Sequence, residues 1–190
     1  MGRARGDEPP MPEPLAYFLT WSTYGTWLPG DERGWILYAH GWQFPDAARM
    51  LEAEARMTEV ACRLDGQQRG VVERQIAETC RIRNWELHAV NCRSNHAHVV
   101  VTADQAPKIV RNQLKAWCTR RLKELDAVRH EAQGREVDAT PLRENWWAER
   151  GSQRFINDSE SLEAAILYVR DGQDKPREHS PEASARDAAI

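Results

Sequence analysis

An α+β domain is the fold class this sequence predicts, built on a β-α-β-β-α-β succession with one further helix at its C-terminal side. Three observations lead there. Short runs rich in β-branched and aromatic residues alternate with longer stretches of helical periodicity. Two of those runs, 85–92 and 95–103, are joined through a short "RSN", as in an antiparallel hairpin. A chain of 190 residues with 41% hydrophobic and 29% charged residues suits one domain with an ample core.

The elements follow in order. "MGRARGDEPPMPEP" lacks the apolar core of a secretory signal and reads as a disordered arm, 1–14. "LAYFLTWSTYG" (15–25) is aromatic and β-branched, stops at a glycine, and reads as a strand. "TWLPGDERGW" carries the Pro-Gly and Arg-Gly signals of a loop. Residues 36–68 look like an insertion; 46–64 has helical composition, with Gly66 ending it. Val71, Val72, Ile76, Cys80 and Ile82 fall at mainly helical spacing, which predicts a helix over 69–84. After the hairpin strands, Pro107 opens a helix to about residue 130, with Ile109, Val110, Leu114, Trp117, Cys118, Leu122 and Leu125 along one side. Residues 131–145 read as a loop and 146–156 as a short strand. A last helix is capped by Asp158 or Ser159 and ended by Gly172. The first six elements give a ferredoxin-like or RRM-like antiparallel sheet. One domain over 15–173 is expected, with a polar, disordered tail over 174–190.

Composition limits the function classes. No run approaches the roughly 18 apolar residues of a membrane helix, so no membrane partner is expected. The four cysteines form no C-x-x-C pair and read as reduced thiols of a cytoplasmic protein. A net charge of −3 does not advertise nucleic-acid binding. Between Pro107 and Lys123, however, Lys108, Arg111, Lys115, Arg120, Arg121 and Lys123 occur without an acid. That run is either a solvated helix face or a patch that steers a phosphate backbone.

The chemistry concentrates in "NWELHAVNCRSNHAHVVVTAD" (84–104). His96 and His98 are separated by one residue, so on a strand both imidazoles share a face. Such a pair is either hydrogen-bonded on an exposed face or the start of a metal site with room for substrate oxygens. Cys92 reads as a small core residue rather than a third ligand. Tyr168, in "SLEAAILYVRDGQ", lies partly off the stripe made by Leu162, Ala165, Ile166 and Val169. It is either a buried aromatic or, beside a metal that polarises the reacting centre, a nucleophile.

On these residues the sequence resembles the single-tyrosine transposases of insertion sequences and the related REP-associated tyrosine transposases. "SNHAHVVV" is similar to their HUH motif. An aromatic first strand ending "TWSTYGTW", a basic helix after the histidine strand, "WWAERGS" and "YVRDGQ" occur in the same order, and the resemblance covers roughly residues 15–175. It departs in three places. Ala97 is small where the family has a bulkier apolar residue, although it faces away from the histidines. The third-ligand position falls on Gly172, flanked by Asp171 and Gln173. The 36–68 segment is extra.

The resemblance implies an enzyme that nicks and rejoins single-stranded DNA carrying hairpin ends. Tyr168 would be the nucleophile, forming a 5′-phosphotyrosine, with Mg²⁺ or Mn²⁺ held by His96, His98 and Gln173, or Asp171 in its place. It also implies a homodimer and a nucleoid-associated location. Arg111, Lys115, Arg120 and Arg121 are expected to hold hairpin phosphates. Trp27, with Trp21, Trp146 and Trp147, is a candidate for stacking on unpaired bases. A domesticated relative that processes chromosomal repeats, or a non-catalytic RRM-like module, are the alternatives.

Overall fold

The computed structural model describes residues 14–37, 40–132 and 142–172. The greater part of the expected arm, residues 133–141 of the expected loop and the chain from Gln173 onward lie outside them. Strand β1 spans Ala16–Ser22; a small hairpin, β2 (Trp35–Leu37) and β3 (Gly41–Gln43), and helix α1 (Ala47–Ala55) precede the long helix α2 (Gly66–Arg83). Then come β4 (Glu86–Cys92), β5 (His96–Thr102), α3 (Pro107–Ala132), β6 (Ser152–Ile156) and α4 (Ser159–Leu167), whose last turn widens into a π-helical turn over Tyr168–Gly172. The main sheet has the order β4-β5-β1-β6 and is antiparallel throughout. This is the β-α-β-β-α-β arrangement expected, with the extra C-terminal helix.

Both faces of the sheet are covered, and the sequence of β5 reflects it. Val99 and Val101 point toward α2 and α3, joining Leu19, Trp21, Val72, Ile76, Val110 and Leu114 in the larger core. Val100 points the other way, onto Ala16, Ile156, Ala165 and Val169. An uninterrupted Val-Val-Val run is what two-sided burial requires. Ala97 is fully buried on the α2/α3 side, facing away from the histidines as expected. Cys92, its cross-strand partner, is buried in the same core and shares no face with them. Among the described residues no helix is long and apolar enough to cross a membrane.

The segment expected as one helix over 46–64 is helical only over Ala47–Ala55, and Gly66 begins α2 instead of ending α1. Tertiary hydrogen bonds explain the difference. The Cys62 N–H donates to the Tyr24 carbonyl at 2.8 Å and the Leu64 N–H to the Ser94 carbonyl at 2.7 Å. Both side chains are buried, so this stretch is pinned to the ends of two strands. The Asp65 carboxylate then accepts from the Gln68 N–H and the Gln68 side chain accepts from the Asp65 N–H, a capping box that starts α2. At its other end Asn84 takes the left-handed conformation with φ 58° and closes the helix.

Trp21 and Trp146, expected as stacking candidates, are core residues with 1% and 2% of their surface exposed. A strand tryptophan on the covered face contributes more by filling that core than by waiting for a base.

Candidate active site

Pairing with β1 sets the position of both histidines. In the register of β1 and β5, His98 lies opposite Thr20 and His96 opposite Ser22; on the other side Asn91 of β4 lies opposite His98. The two imidazole rings are 4.7 Å apart and nearly perpendicular. His96 Nδ1 is 2.7 Å from the side-chain oxygen of Asn95. An amide oxygen only accepts, so Nδ1 carries the proton and Nε2 keeps its lone pair. His98 Nδ1 is 2.7 Å from the Thr20 hydroxyl, which accommodates the same tautomer. Partners of this kind orient imidazoles for metal binding.

Burial keeps both rings neutral. It pushes the His98 pKa down to about 4, with the neighbouring His96 ring and Arg93 adding to the effect. His96 is lowered by burial first and by Arg93 second. One consequence is testable in the metal-free protein. Because the folded state resists protonation at His98, the unfolded chain takes up its proton first as pH falls below 6.5. The penalty grows down to about pH 4 and is absent at neutral pH. Chemical denaturation across that range is expected to show a loss of about 3 kcal/mol attributable to this ring, and His98→Gln removes most of that loss.

The π-helical turn brings in the phenol. Asp158 caps α4 by accepting from the Ser161 N–H at 2.7 Å. Ala165 and Val169 anchor the helix on the sheet, with 2% and 0% exposure. That leaves Tyr168, 41% exposed, turned over the histidine face. Its ring meets His98 edge-on at 5.7 Å and Phe18 edge-on at 6.0 Å, while Phe18 stacks on His98 at 5.4 Å. The sequence-predicted nucleophile and the histidine pair therefore converge within one chain.

The expected third ligands are Gln173 and Asp171. Asp171 is an exposed residue of the π-helical turn, and Gln173 lies outside the described residues. Among the described residues no group of three or more His, Cys, Asp or Glu side chains is placed to hold a metal ion. His96 and His98 present two imidazoles on one face, the donor type that borderline divalent ions accept.

The basic helix divides in two. Arg111 is 6% exposed and its Nη1 donates to the Gly151 carbonyl at 2.6 Å. Lys115 Nζ donates to the Ala148 carbonyl at 2.7 Å and the Glu149 carbonyl at 3.2 Å, and burial lowers its pKa to about 8. Both side chains thus tie α3 to the segment that leads into β6. Gly151 passes so close to β1 that a methyl group there would collide with the Thr20 carbonyl and the Trp21 side chain. Arg111→Ala is expected to lower stability by about 2 kcal/mol in denaturant titrations while leaving the salt dependence of any DNA binding unchanged. Arg120 and Arg121 are exposed, but Arg120 pairs with Glu124, and Arg121 with Glu124 and Glu78. Trp27 is 43% exposed, with its indole N–H donating to the Gly34 carbonyl at 2.8 Å.

Sequence reasoning missed Thr20, Asn95, Phe18 and Arg154. The last lies opposite Phe18 in the β1–β6 pairing, with its guanidinium 5.3 Å over the Phe18 ring. Asn95 was legible as the neighbour of His96; the others required the strand register.

No protein-family model and no curated protein matches the chain. Among solved structures, its neighbours include a REP-associated tyrosine transposase bound to a REP hairpin, at 14% identity and a TM-score of 0.45, covering 89% of this chain and 70% of that one. A Deinococcus radiodurans R1 chain provisionally described as a transposase matches at 16% identity and a TM-score of 0.42, covering 91% of this chain and 98% of that one.

Proposed function

We propose that this protein is a metal-dependent transposase-type enzyme that nicks single-stranded DNA and transfers the strand through Tyr168. The observation supporting it is the convergence of an exposed phenol with two adjacent imidazoles, of which His96 keeps its Nε2 lone pair. In this reading the Tyr168 oxygen attacks a backbone phosphorus, the bond from phosphorus to the 3′ oxygen breaks, and a 5′-phosphotyrosine forms. The proton lost by the phenol is balanced by the one gained on the leaving 3′-hydroxyl. The phosphodiester energy is retained, so a 3′-hydroxyl reverses the step without a nucleotide cofactor.

His96 and His98 would hold a Mg²⁺ or Mn²⁺ ion, with Asp171 or Gln173 as a further ligand. Such an ion, when bound, neutralises charge on the scissile phosphate. Asn95 holds the His96 ring in the ligating tautomer and Thr20 orients the His98 ring; Asn95→Ala or Thr20→Val is expected to weaken Mn²⁺ binding 10- to 100-fold, as measured by titration calorimetry. Phe18 sets the approach of Tyr168 to His98. Hairpin DNA is the proposed partner, with Arg120, Arg121 and Trp27 as its exposed contacts. A homodimer in the cytoplasm, associated with the nucleoid, goes with that substrate.

Incubation with hairpin-bearing single-stranded DNA and Mn²⁺ tests the reading. A protein–DNA adduct that survives denaturing electrophoresis is the expected product. Tight binding with no adduct under Mg²⁺ or Mn²⁺ would instead identify a non-catalytic module.

A further inference from the structure

The cluster of Tyr168, His96 and His98 contains no arginine or lysine side chain. A phosphodiester is an anion, and its charge grows on the oxygens during displacement. Arg154 is an exposed cation on the face that bears these residues. Cross-strand partners in an antiparallel pair share a face, and the register places Arg154 opposite Phe18, and Phe18 opposite Val100, two residues from His98. The guanidinium sits over the Phe18 ring, and that same ring contacts both His98 and Tyr168. One aromatic side chain thus links the cation, the imidazole and the phenol.

Three other arginines described above already have partners. Arg111 holds the Gly151 carbonyl, Arg121 pairs with Glu78 and Glu124, and Arg120 pairs with Glu124. Among the described residues no carboxylate pairs with Arg154; its guanidinium rests on the face of the Phe18 ring. Stacking on an aromatic ring fixes the guanidinium while its in-plane N–H donors stay available, and that planar fork matches two phosphate oxygens.

We propose that Arg154 is a substrate-binding residue of this site, gripping the non-bridging oxygens of the phosphodiester that faces Tyr168. The inference rests on the strand-transfer reading for its catalytic consequence, but the phosphate contact itself does not depend on that reading. Lysine in its place keeps the charge and loses the fork.

The full-length chain with Arg154→Gln and Arg154→Lys tests this, with circular dichroism and thermal melting confirming the fold. Two readouts are needed. The first is single-turnover adduct formation with hairpin-bearing DNA and Mn²⁺, where Arg154→Gln is expected to slow the step about 100-fold and Arg154→Lys to recover only part of the rate. The second is binding of an unstructured DNA single strand in the Tyr168→Phe background at several salt concentrations. There the slope of log affinity against log salt is expected to fall by about 0.7 on Arg154→Gln, the loss of one phosphate contact. Both changes together support the proposal. A reduced slope in a protein that forms no adduct upholds the phosphate contact and overturns the strand-transfer reading. An unchanged slope, with or without a slower rate, overturns the phosphate contact and leaves Arg154 as a cover for Phe18.

Discussion

Tyr168→Phe is expected to abolish adduct formation, by at least about 10³-fold, while leaving the fold and hairpin binding intact. The substitution removes one oxygen and keeps the ring, so the edge-on contacts with His98 and Phe18 survive. Tyr168 is 41% exposed, and among the described residues its hydroxyl has no hydrogen-bond partner, so no buried group is orphaned. The melting temperature should therefore move little, as for exposed substitutions whose cost stays within about 0.5 kcal/mol. The measurement is adduct yield on a denaturing gel beside DNA binding by fluorescence anisotropy. Undiminished adduct from the Phe variant would mean that another side chain is the nucleophile.

Replacing His98 has the second large effect. His98→Gln is expected to weaken Mn²⁺ binding by at least about 100-fold and to remove metal-dependent adduct formation. Glutamine suits the test better than alanine. His98 is 8% exposed, stacks on Phe18 and meets the Thr20 hydroxyl, so alanine would open a cavity and confound the result with unfolding. Glutamine keeps bulk and a polar end for Thr20. Electron paramagnetic resonance of added Mn²⁺ reads the affinity directly. Equal affinity in the variant and the parent would show that this imidazole is not a ligand. His96→Gln is expected to behave similarly, with a smaller stability change because its partner Asn95 is the adjacent residue in the hairpin turn.

Much of the arrangement is local, and the sequence alone determined it. Alternation put His96 and His98 on one face of β5 with Ala97 on the other, because strand side chains repeat every two residues. Asp158, as one of the two expected caps, began α4, since a short acceptor there satisfies an unpaired N–H. The spacing of apolar residues in α2 and α3 sufficed to place both helices within a few residues, and the doubly buried valines of β5 were legible as a central strand.

Tertiary structure decided what each charged or aromatic residue is free to do. Charge is visible in sequence, but the partner that consumes it is not. Arg111 and Lys115 read in sequence as part of a basic stripe, and only the fold shows the chain returning 33 to 40 residues later to offer backbone carbonyls to both. Arg154 looks unremarkable until β6 pairs with β1 and sets it over Phe18. The helix expected over 46–64 yielded to strand-end carbonyls that lay far away in sequence. The approach of Tyr168 to His98 depends on how α4 and its π-helical turn dock on the sheet. Periodicity is a property of neighbouring residues, so the sequence carries it; pairing across long loops is a property of the folded chain, and it alone assigned these side chains to the core, the clamp or the site.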